Sequence, residues 1–312
     1  MVVEQLAPEL DLIASTSQQL EELGRGYRVA EGPVWKHEEE ALLFSDLGHS
    51  RTMKWSAGAG VTLFRDSTNQ GNGLALDPLG RLVICEGGRR RVTRLDLDGT
   101  LTIVADEYQG TKINRPNDVV VKSDGSIYFT DPARRDAKGQ TDMDLAFCGV
   151  YRVAPDLSSI KLLIDDFVLP NGLCFSPNEE TLYVIDSMGA FRHPSDFRLS
   201  EGLIKAFDVE ADGSVANGRS FLQMKSTRPG LPDGMKVDVE GNIYCTGPGG
   251  VWVLDPRGKH LGTILTGAEQ TTNCGWGGDD LQTLFITTTE ALFCTKLKIP
   301  GVPGLPSSRL GS

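Results

Sequence analysis

Asn171-Gly172-Leu173-Cys174-Phe175 is the clearest copy of a short pattern that recurs along the chain. Each copy begins with a polar residue, continues with a small or polar residue, and then enters an apolar stretch with the composition of a β-strand. The other copies are Glu31-Gly32-Pro33-Val34-Trp35, Asn72-Gly73-Leu74-Ala75-Leu76, Asn117-Asp118-Val119-Val120-Val121, Asp233-Gly234-Met235-Lys236-Val237 and, more loosely, Asn273-Cys274-Gly275-Trp276-Gly277. One copy predicts only a turn leading into a strand, because Asn-Gly and Asp-Gly are common turn sequences. Six copies predict a repeated unit, and we call the first residue of each copy its ring position.

The spacing of the copies identifies the unit. Successive ring positions are separated by 41, 45, 54, 62 and 40 residues. A period of about 40–50 residues with four strands per unit is typical of a β-propeller blade. We therefore predict an all-β fold, a six-bladed β-propeller with four-stranded blades. Blade two shows the unit most plainly, with strands predicted at 73–77, 81–85, 91–95 and 101–104.

The chain divides into three parts around this repeat. Blade six supplies only three evident strands, so we predict that the N-terminal segment, residues 1–26, contributes a strand that closes the ring and removes its open edges. The propeller is predicted to occupy residues 27–298, and the Pro- and Gly-rich residues 299–312 to form a flexible tail. The two longest intervals contain insertions, Pro132–Cys148 in blade three and Ser187–Glu201 in blade four.

Composition and charge narrow the classes of partner and compartment. The 31 basic and 42 acidic residues give a net charge of −11, which argues against nucleic acid or an anionic membrane as partner. The sequence has no run of about 18 apolar residues and no visible secretory signal. Its six cysteines lie scattered, without a Cys-x-x-Cys pair, which is typical of buried free thiols in a reducing compartment. We predict a cytoplasmic protein with a small-molecule substrate; the oligomeric state stays open.

The ring positions should converge, because the first strand of a propeller blade is innermost and lines the central channel. They are Glu31, Asn72, Asn117, Asn171, Asp233 and Asn273. Such carboxylate and amide oxygens favour one divalent cation, with Ca²⁺ the first choice and Mg²⁺, Mn²⁺ or Zn²⁺ as alternatives. The second strands should end beside them, and four of these ends are acidic: Asp46, Glu86, Asp131 and Asp186. The alternative is that the ring residues only form turns and cap backbone amides.

Four of the motifs resemble those of the gluconolactonase family that includes the senescence marker protein, or regucalcin. The motifs are Glu31-Gly32-Pro33-Val34-Trp35, Arg115-Pro116-Asn117-Asp118, Pro170-Asn171-Gly172-Leu173 and Pro232-Asp233-Gly234-Met235. Together they are specific, and the resemblance extends from about Tyr27 to Leu297. It implies a six-bladed propeller that hydrolyses lactones with one divalent cation.

The resemblance also implies individual roles. The metal ligands would be Glu31, Asn117, Asn171 and Asp233. Asp233 would also act as the general base, and Arg115 would contact the substrate. Asn72 and Asn273 occupy ring positions without a ligand role in the family, so we expect them to face substrate or water. Alternatives remain: Asp233 could serve as a ligand only, and Arg115 could form an ion pair with Asp131.

The leading hypothesis is a metal-dependent hydrolase of a sugar lactone or a similar small cyclic ester. A second hypothesis is a related propeller hydrolase of a phosphotriester or fluorophosphate, for which the same cation and carboxylate would serve. A third is a non-catalytic binding propeller with a structural cation. Serine-hydrolase chemistry is disfavoured, because the Gly-x-Ser-x-Gly pattern is absent. Selectivity is expected to lie in the insertions Pro132–Cys148 and Ser187–Glu201.

Overall fold

The computed structural model describes residues 2–133, 143–187 and 200–305, and these residues are almost entirely β-strand and turn. Two strands precede the first blade: β1 (Val3–Gln5) and β2 (Glu21–Arg25). Blade one contains β3 (Ala30–Lys36), β4 (Ala41–Asp46), β5 (Arg51–Ser56) and β6 (Gly60–Arg65), and blade two contains β7 (Gly71–Leu76), β8 (Leu82–Glu86), β9 (Arg91–Leu95) and β10 (Leu101–Ala105). After a small hairpin of β11 (Glu107–Tyr108) and β12 (Thr111–Lys112), blade three contains β13 (Val119–Val121), β14 (Ile127–Asp131), β15 (Cys148–Val153) and β16 (Ile160–Phe167).

The remaining strands complete three more blades. Blade four contains β17 (Pro170–Phe175), β18 (Thr181–Asp186), β19 (Ser200–Val209) and β20 (Val215–Ser226), and blade five contains β21 (Met235–Val237), β22 (Ile243–Gly247), β23 (Gly250–Leu254) and β24 (His260–Leu265). Blade six contains β25 (Thr271–Gly277), β26 (Thr283–Thr288) and β27 (Ala291–Lys296). Among the described residues, short 3₁₀ helices lie at Pro8–Leu12, His37–Glu39 and Leu47–His49. No helix in the described ranges is long and apolar enough to cross a membrane.

The sheets form a closed six-bladed β-propeller, which confirms the predicted fold class. Every blade is an antiparallel sheet of four strands in chain order, apart from additions at the N-terminus. The first strand of each blade contacts the first strands of both neighbouring blades, so these six strands surround the central channel. As predicted, an N-terminal strand closes the ring: β2 pairs with β27 as the fourth strand of blade six.

The chain termini attach to the propeller more extensively than the sequence indicated. Strand β1 pairs with β24 and becomes a fifth strand of blade five, which the sequence did not predict. Residues 299–305, assigned by sequence to a flexible tail, contact the propeller: Ile299 is buried and Gly301 forms a bridge with Asp238. Residues 306–312 and most of the two predicted insertions lie outside the described residues.

The hydrophobic core lies between neighbouring blades. Between blades six and one, for example, Phe285 stacks on Trp35 with ring centroids 5.6 Å apart and also contacts Trp55 at 5.2 Å. Leu42 and Phe44 on β4 are completely buried in the same cluster. Because each strand presents alternate side chains to opposite faces, one blade contributes to two such clusters. This packing fixes the inner strands, and thereby the start of each of them, around the channel.

Strand pairing gives the register of each blade and corrects one prediction. In blade four, Pro170 pairs with Asp186 and Leu173 with Val184, which leaves Asn171 as the ring position. In blade six, Thr271 pairs with Thr288 and Cys274 with Ile286, so that the equivalent residue is Thr272. The predicted placement of Asn273 at the ring position was therefore wrong by one residue. The Asn273-Cys274-Gly275 sequence resembles the polar–small pattern of the other blades, but the ring position of blade six is occupied by the preceding residue, Thr272.

Candidate metal and lactone site

The inner strands approach one another very closely just after the ring position. A Cβ atom added at Gly172 would lie 2.3 Å from the carbonyl oxygen of Asp233, and one added at Gly32 would lie 2.5 Å from that of Asn72. The amide of Gly172 donates a hydrogen bond of 2.7 Å to the Asp233 carbonyl, and Gly73 does the same towards Asn117 at 2.8 Å. Glycine at these places therefore lets the channel close tightly around the ring positions.

Blades three and six place polar side chains where the other four blades have glycine. These side chains are the Asp118 carboxylate and the Asn273 amide, both almost fully buried. The Asn273 Nδ2 atom donates to Glu31 Oε2 at 3.1 Å and to Asp118 Oδ2 at 3.4 Å, while its Oδ1 accepts from the Cys274 amide at 2.9 Å. Asn273 thus holds the carboxylate of the ring residue Glu31 and that of Asp118, an arrangement that favours a positioning role over contact with substrate.

The carboxylates of Glu31 and Asp233 lie close enough to repel each other. Burial raises the pKa of Glu31 well above its ordinary value, and the negative charges of Asp233 and Asp118 raise it further. Burial and the charge of Asp118 raise the pKa of Asp233 to about 7, against the lowering effect of hydrogen bonds from Asn171 and Gln270. Burial also raises the pKa of Asp118, although the Lys236 ammonium opposes this shift. A bound cation would relieve this repulsion.

Asn171 is held in one orientation by a buried serine. Its Nδ2 donates to Ser187 Oγ at 3.1 Å, and the Ser187 hydroxyl in turn donates to the carbonyl oxygen of Pro232. This leaves Asn171 Oδ1 buried without a hydrogen-bond partner among the described residues, and Asn72 Oδ1 is in the same condition. Burying an oxygen without a partner costs free energy, so these two oxygens indicate a place where a ligand would bind.

Asp233 has its own orienting residue, Gln270, which precedes blade six. Gln270 Oε1 accepts from the Leu231 amide at 2.8 Å, and its Nε2 donates to the Leu231 carbonyl at 3.0 Å. The same nitrogen reaches Asp233 Oδ2 at 3.4 Å. Gln270 therefore fixes both the backbone before Asp233 and one of its carboxylate oxygens.

Arg115, Asn117 and Asn72 line a cavity of about 260 Å³ at this face of the propeller. Gln70 and Leu169 contribute to the same wall, and the Arg115 guanidinium donates to Gln70 Oε1 at 2.7 Å. The backbone amide of Arg115 donates a hydrogen bond to the Asp131 carboxylate. The structure thus brings the predicted substrate residue Arg115 and ligand Asn117 together in one cavity, beside the buried set of Glu31, Asn171 and Asp233.

The acidic ends of the second strands have a shared structural role. Each accepts a hydrogen bond from the segment that leads to the ring position of its own blade. The pairs are Asp46 with the Arg28 amide (2.9 Å), Glu86 with the Asn69 side chain (2.9 Å), Asp131 with the Asn114 amide (2.7 Å), and Asp186 with the Leu169 amide (2.9 Å). These carboxylates hold the segments that carry the predicted ligands and do not themselves enter the ring.

The residues present fit a hard divalent cation. Glu31 and Asp233 supply negative charge, and Asn171 supplies an unpaired amide oxygen directed by its neighbours. Within the described part of the chain, no group of three or more His, Cys, Asp and Glu side chains is arranged to hold a metal. That result agrees with a set in which amides provide half of the predicted ligands. Such a mixed oxygen set suits Ca²⁺ or Mg²⁺ better than a thiophilic metal.

Comparison with known proteins identifies the family. The family model described as the SMP-30/Gluconolactonase/LRE-like region matches residues 29–290. The chain belongs to this family. A gluconolactonase of known structure from Xanthomonas campestris is 35% identical, with a TM-score of 0.82 and 95% of each chain covered. Gluconolactonase of Zymomonas mobilis is 29% identical over 96% of this chain and 87% of its own, and regucalcin of Danio rerio is 31% identical over 89% and 93%.

The SMP-30/gluconolactonase match includes every ring position and confirms the resemblance read from the motifs. It begins before Glu31 and ends after Asn273, so that all six blades take part. Two residues that orient the site were not predicted from the sequence. They are Ser187, at the edge of a predicted insertion, and Gln270, three residues before Asn273. Neither belongs to the repeated pattern, and their roles depend on contacts with residues 16 and 37 positions away.

Proposed function

We propose that this protein hydrolyses lactones with the help of one divalent cation held by Glu31, Asn117, Asn171 and Asp233. The observation that carries the proposal is the crowding of Glu31 and Asp233 beside the unpaired Asn171 oxygen, in a chain of the SMP-30/gluconolactonase family. The relatives named gluconolactonase support a sugar lactone as the substrate class. Ca²⁺ is the proposed cation, since carboxylate and amide oxygens are its usual ligands.

The cation, when bound, would polarise the lactone carbonyl and stabilise negative charge on its oxygen. Asp233 is proposed to remove a proton from the attacking water, which adds to the carbonyl carbon. The ring C–O bond then breaks, and the departing alkoxide receives the proton from Asp233, giving a hydroxy acid. Gln270 holds the carboxylate for this step by binding Oδ2.

Arg115 is proposed to orient the substrate. Its guanidinium borders the cavity with Asn72 and Asn117 and is braced by Gln70. A guanidinium presents several N–H donors in one plane, which suits a lactone carbonyl and the hydroxyl groups of a sugar. Asn72, whose Oδ1 has no partner among the described residues, would accept a hydrogen bond from such a hydroxyl.

A pH-indicator assay with a panel of sugar lactones, alkyl lactones and a phosphotriester tests this function. We expect sugar lactones to be hydrolysed fastest, with activity lost after chelation and recovered with Ca²⁺, Mg²⁺ or Mn²⁺. Full turnover in metal-stripped protein would contradict the metal role. Faster turnover of the phosphotriester would favour the second hypothesis, and tight metal binding without turnover of any ester would favour a binding propeller.

A cytoplasmic location and the absence of nucleic-acid partners remain proposals. They are supported by the net charge of −11 and by the six cysteines, five of which are buried.

A further inference from the structure

The central channel widens into a second cavity at the face opposite the candidate site. Its volume is about 480 Å³, and all six inner strands contribute to its wall. The inner surface is apolar, with Val34, Leu74, Val120, Phe175 and Trp276 among the lining residues. The C-terminal segment Val302–Leu305 covers one side of it. Nothing in the proposed hydrolytic mechanism uses this cavity.

One cation faces this apolar wall. Lys236 lines the cavity three residues after Asp233, and its Nζ donates to the Met235 carbonyl at 3.1 Å. The described residues place no carboxylate within the 4.0 Å that defines an ion pair with this ammonium. Glu179, at the cavity rim, is already bound to Lys122 at 3.1 Å and to Ser123. Among the described residues that line the cavity, Lys236 therefore has no carboxylate partner, although its ammonium also lowers the pKa of the buried Asp118 further along the channel.

We propose that this cavity binds an amphipathic anion, namely a small carboxylate with an apolar chain or ring. The apolar group would lie against Val120, Phe175 and Trp276, and the carboxylate would pair with Lys236. An ammonium inside an apolar wall strengthens such a pair, because little water screens it. The same wall does not suit a polyhydroxylated sugar acid, whose hydroxyl groups would lack partners there.

This second site is separated from the candidate hydrolytic site by the buried Asp118–Asn273 pair. Both side chains are at most 3% exposed and occupy the channel one residue after the ring level. Lys236 lies two residues further along its strand, on the other side of that pair. The proposed ligand would thus bind without entering the cavity lined by Arg115 and Asn72.

Calorimetric titration of the full-length protein with octanoate tests the proposal, with 1-octanol as the uncharged comparison. We expect octanoate to bind with quenching of tryptophan fluorescence, since Trp35 and Trp276 line the cavity. Lys236→Met should weaken octanoate binding by about tenfold or more, because a charged partner is lost, whereas Lys236→Arg should retain it. Binding of 1-octanol should be the same in all three proteins.

Two further variants locate the bound ligand. Ala75→Phe would fill part of the cavity and should weaken both ligands without changing the charge. Arg115→Ala removes the guanidinium that lines the cavity of the candidate hydrolytic site, and it should leave octanoate affinity unchanged. The proposal is overturned if octanoate does not bind, if Lys236→Met binds it as well as the parent protein, or if Arg115→Ala abolishes binding. If Lys236→Met fails to fold, Lys236→Gln gives the same comparison with a polar side chain.

Discussion

At the scale of single residues, the site depends on which atom of an amide or carboxylate faces the channel. Asn171 offers an oxygen to the channel because Ser187 accepts from its nitrogen. Ser187 is itself fixed by the Pro232 carbonyl, and only 2% of it is exposed. Outer hydrogen bonds of this kind orient metal ligands and increase their affinity. Ser187 is therefore a positioning residue for Asn171, the proposed ligand.

We predict that Ser187→Ala lowers cation affinity by ~10–100-fold, since Asn171 would lose the partner that fixes its orientation. Calorimetric titration with Ca²⁺ measures this loss directly, independently of turnover. Ser126→Ala is a matched control, because Ser126 is also buried and lies just before β14, away from the ring positions. Its hydroxyl accepts a hydrogen bond of 2.8 Å from Arg152. Equal losses of affinity in the two variants would show that Ser187 acts only through stability.

We predict that Asp233→Asn reduces kcat by ~10²–10⁴-fold at saturating cation, because the amide cannot accept the proton from water. Steady-state kinetics with the best lactone of the panel, together with a Ca²⁺ titration, separates the base from the ligand role. Gln270→Ala serves as a partial control, since it leaves the carboxylate in place and removes one orienting bond. A variant that keeps its kcat once cation is saturating would limit Asp233 to a ligand role.

At the scale of elements, the important feature is the close approach of the inner strands after each ring position. Glycine follows the ring residue in four blades, and in blades three and six the place is taken by Asp118 and Asn273. The missing Cβ atoms let neighbouring strands form direct backbone hydrogen bonds, such as that from Gly172 to the Asp233 carbonyl. Backbone contact between blades therefore sets the spacing of the ring positions that carry the proposed ligands.

We predict that Gly172→Ala destabilises the protein by about 1–3 kcal/mol and weakens Ca²⁺ binding, because the added methyl group meets the Asp233 carbonyl at 2.3 Å. Denaturant unfolding and calorimetry measure the two effects. The matched control is Gly58→Ala, since a Cβ atom at Gly58 meets nothing within 4 Å. Normal affinity in Gly172→Ala would mean that the ring tolerates a wider spacing between blades four and five.

The sequence predicted the elements well wherever local signals repeat. The strands of blade two fall within two residues of their predicted bounds, because Pro78, Gly80 and the Asp98-Gly99 turn mark their ends. Blade six has no such signal at its start. The Asn273-Cys274-Gly275 sequence resembles the repeated pattern, and it therefore misplaced the predicted ring position by one residue. The orienting contacts of Ser187 and Gln270 could not be predicted, since they join residues that the fold alone brings together.

At the scale of the whole molecule, ring closure was predictable but the attachment of the termini was not. Blade six has only three strands of its own, so the edge of β27 required a fourth strand, and the N-terminal segment supplied it as β2. The sequence does not indicate that β1 or residues 299–305 should pair with a blade, because blade five already has four strands without them. Their burial depends on surface left by blades five and six, which only the assembled propeller defines.

The propeller also concentrates negative charge at one point. Its six inner strands bring Glu31, Asp118 and Asp233 into mutual repulsion inside a protein whose net charge is already −11. Burial raises the pKa of Asp233 from 3.8 to about 7 in the metal-free protein. The folded state therefore holds a proton over a pH range in which the unfolded chain has lost it. In that range the stability of the metal-free protein falls as the pH rises.

We predict that stabilisation by Ca²⁺ grows as the pH rises from about 5 to about 7.5, since the cation competes with the proton on Asp233. At a free Ca²⁺ concentration of 100 times Kd, binding would add about 2.7 kcal/mol to the free energy of unfolding. Thermal unfolding with Ca²⁺ and with chelator, compared at several pH values, measures this change. Asp233→Asn should show a smaller dependence on pH, because its amide does not titrate. An equal shift in Tm at pH 5 and pH 8 would place the cation away from Asp233.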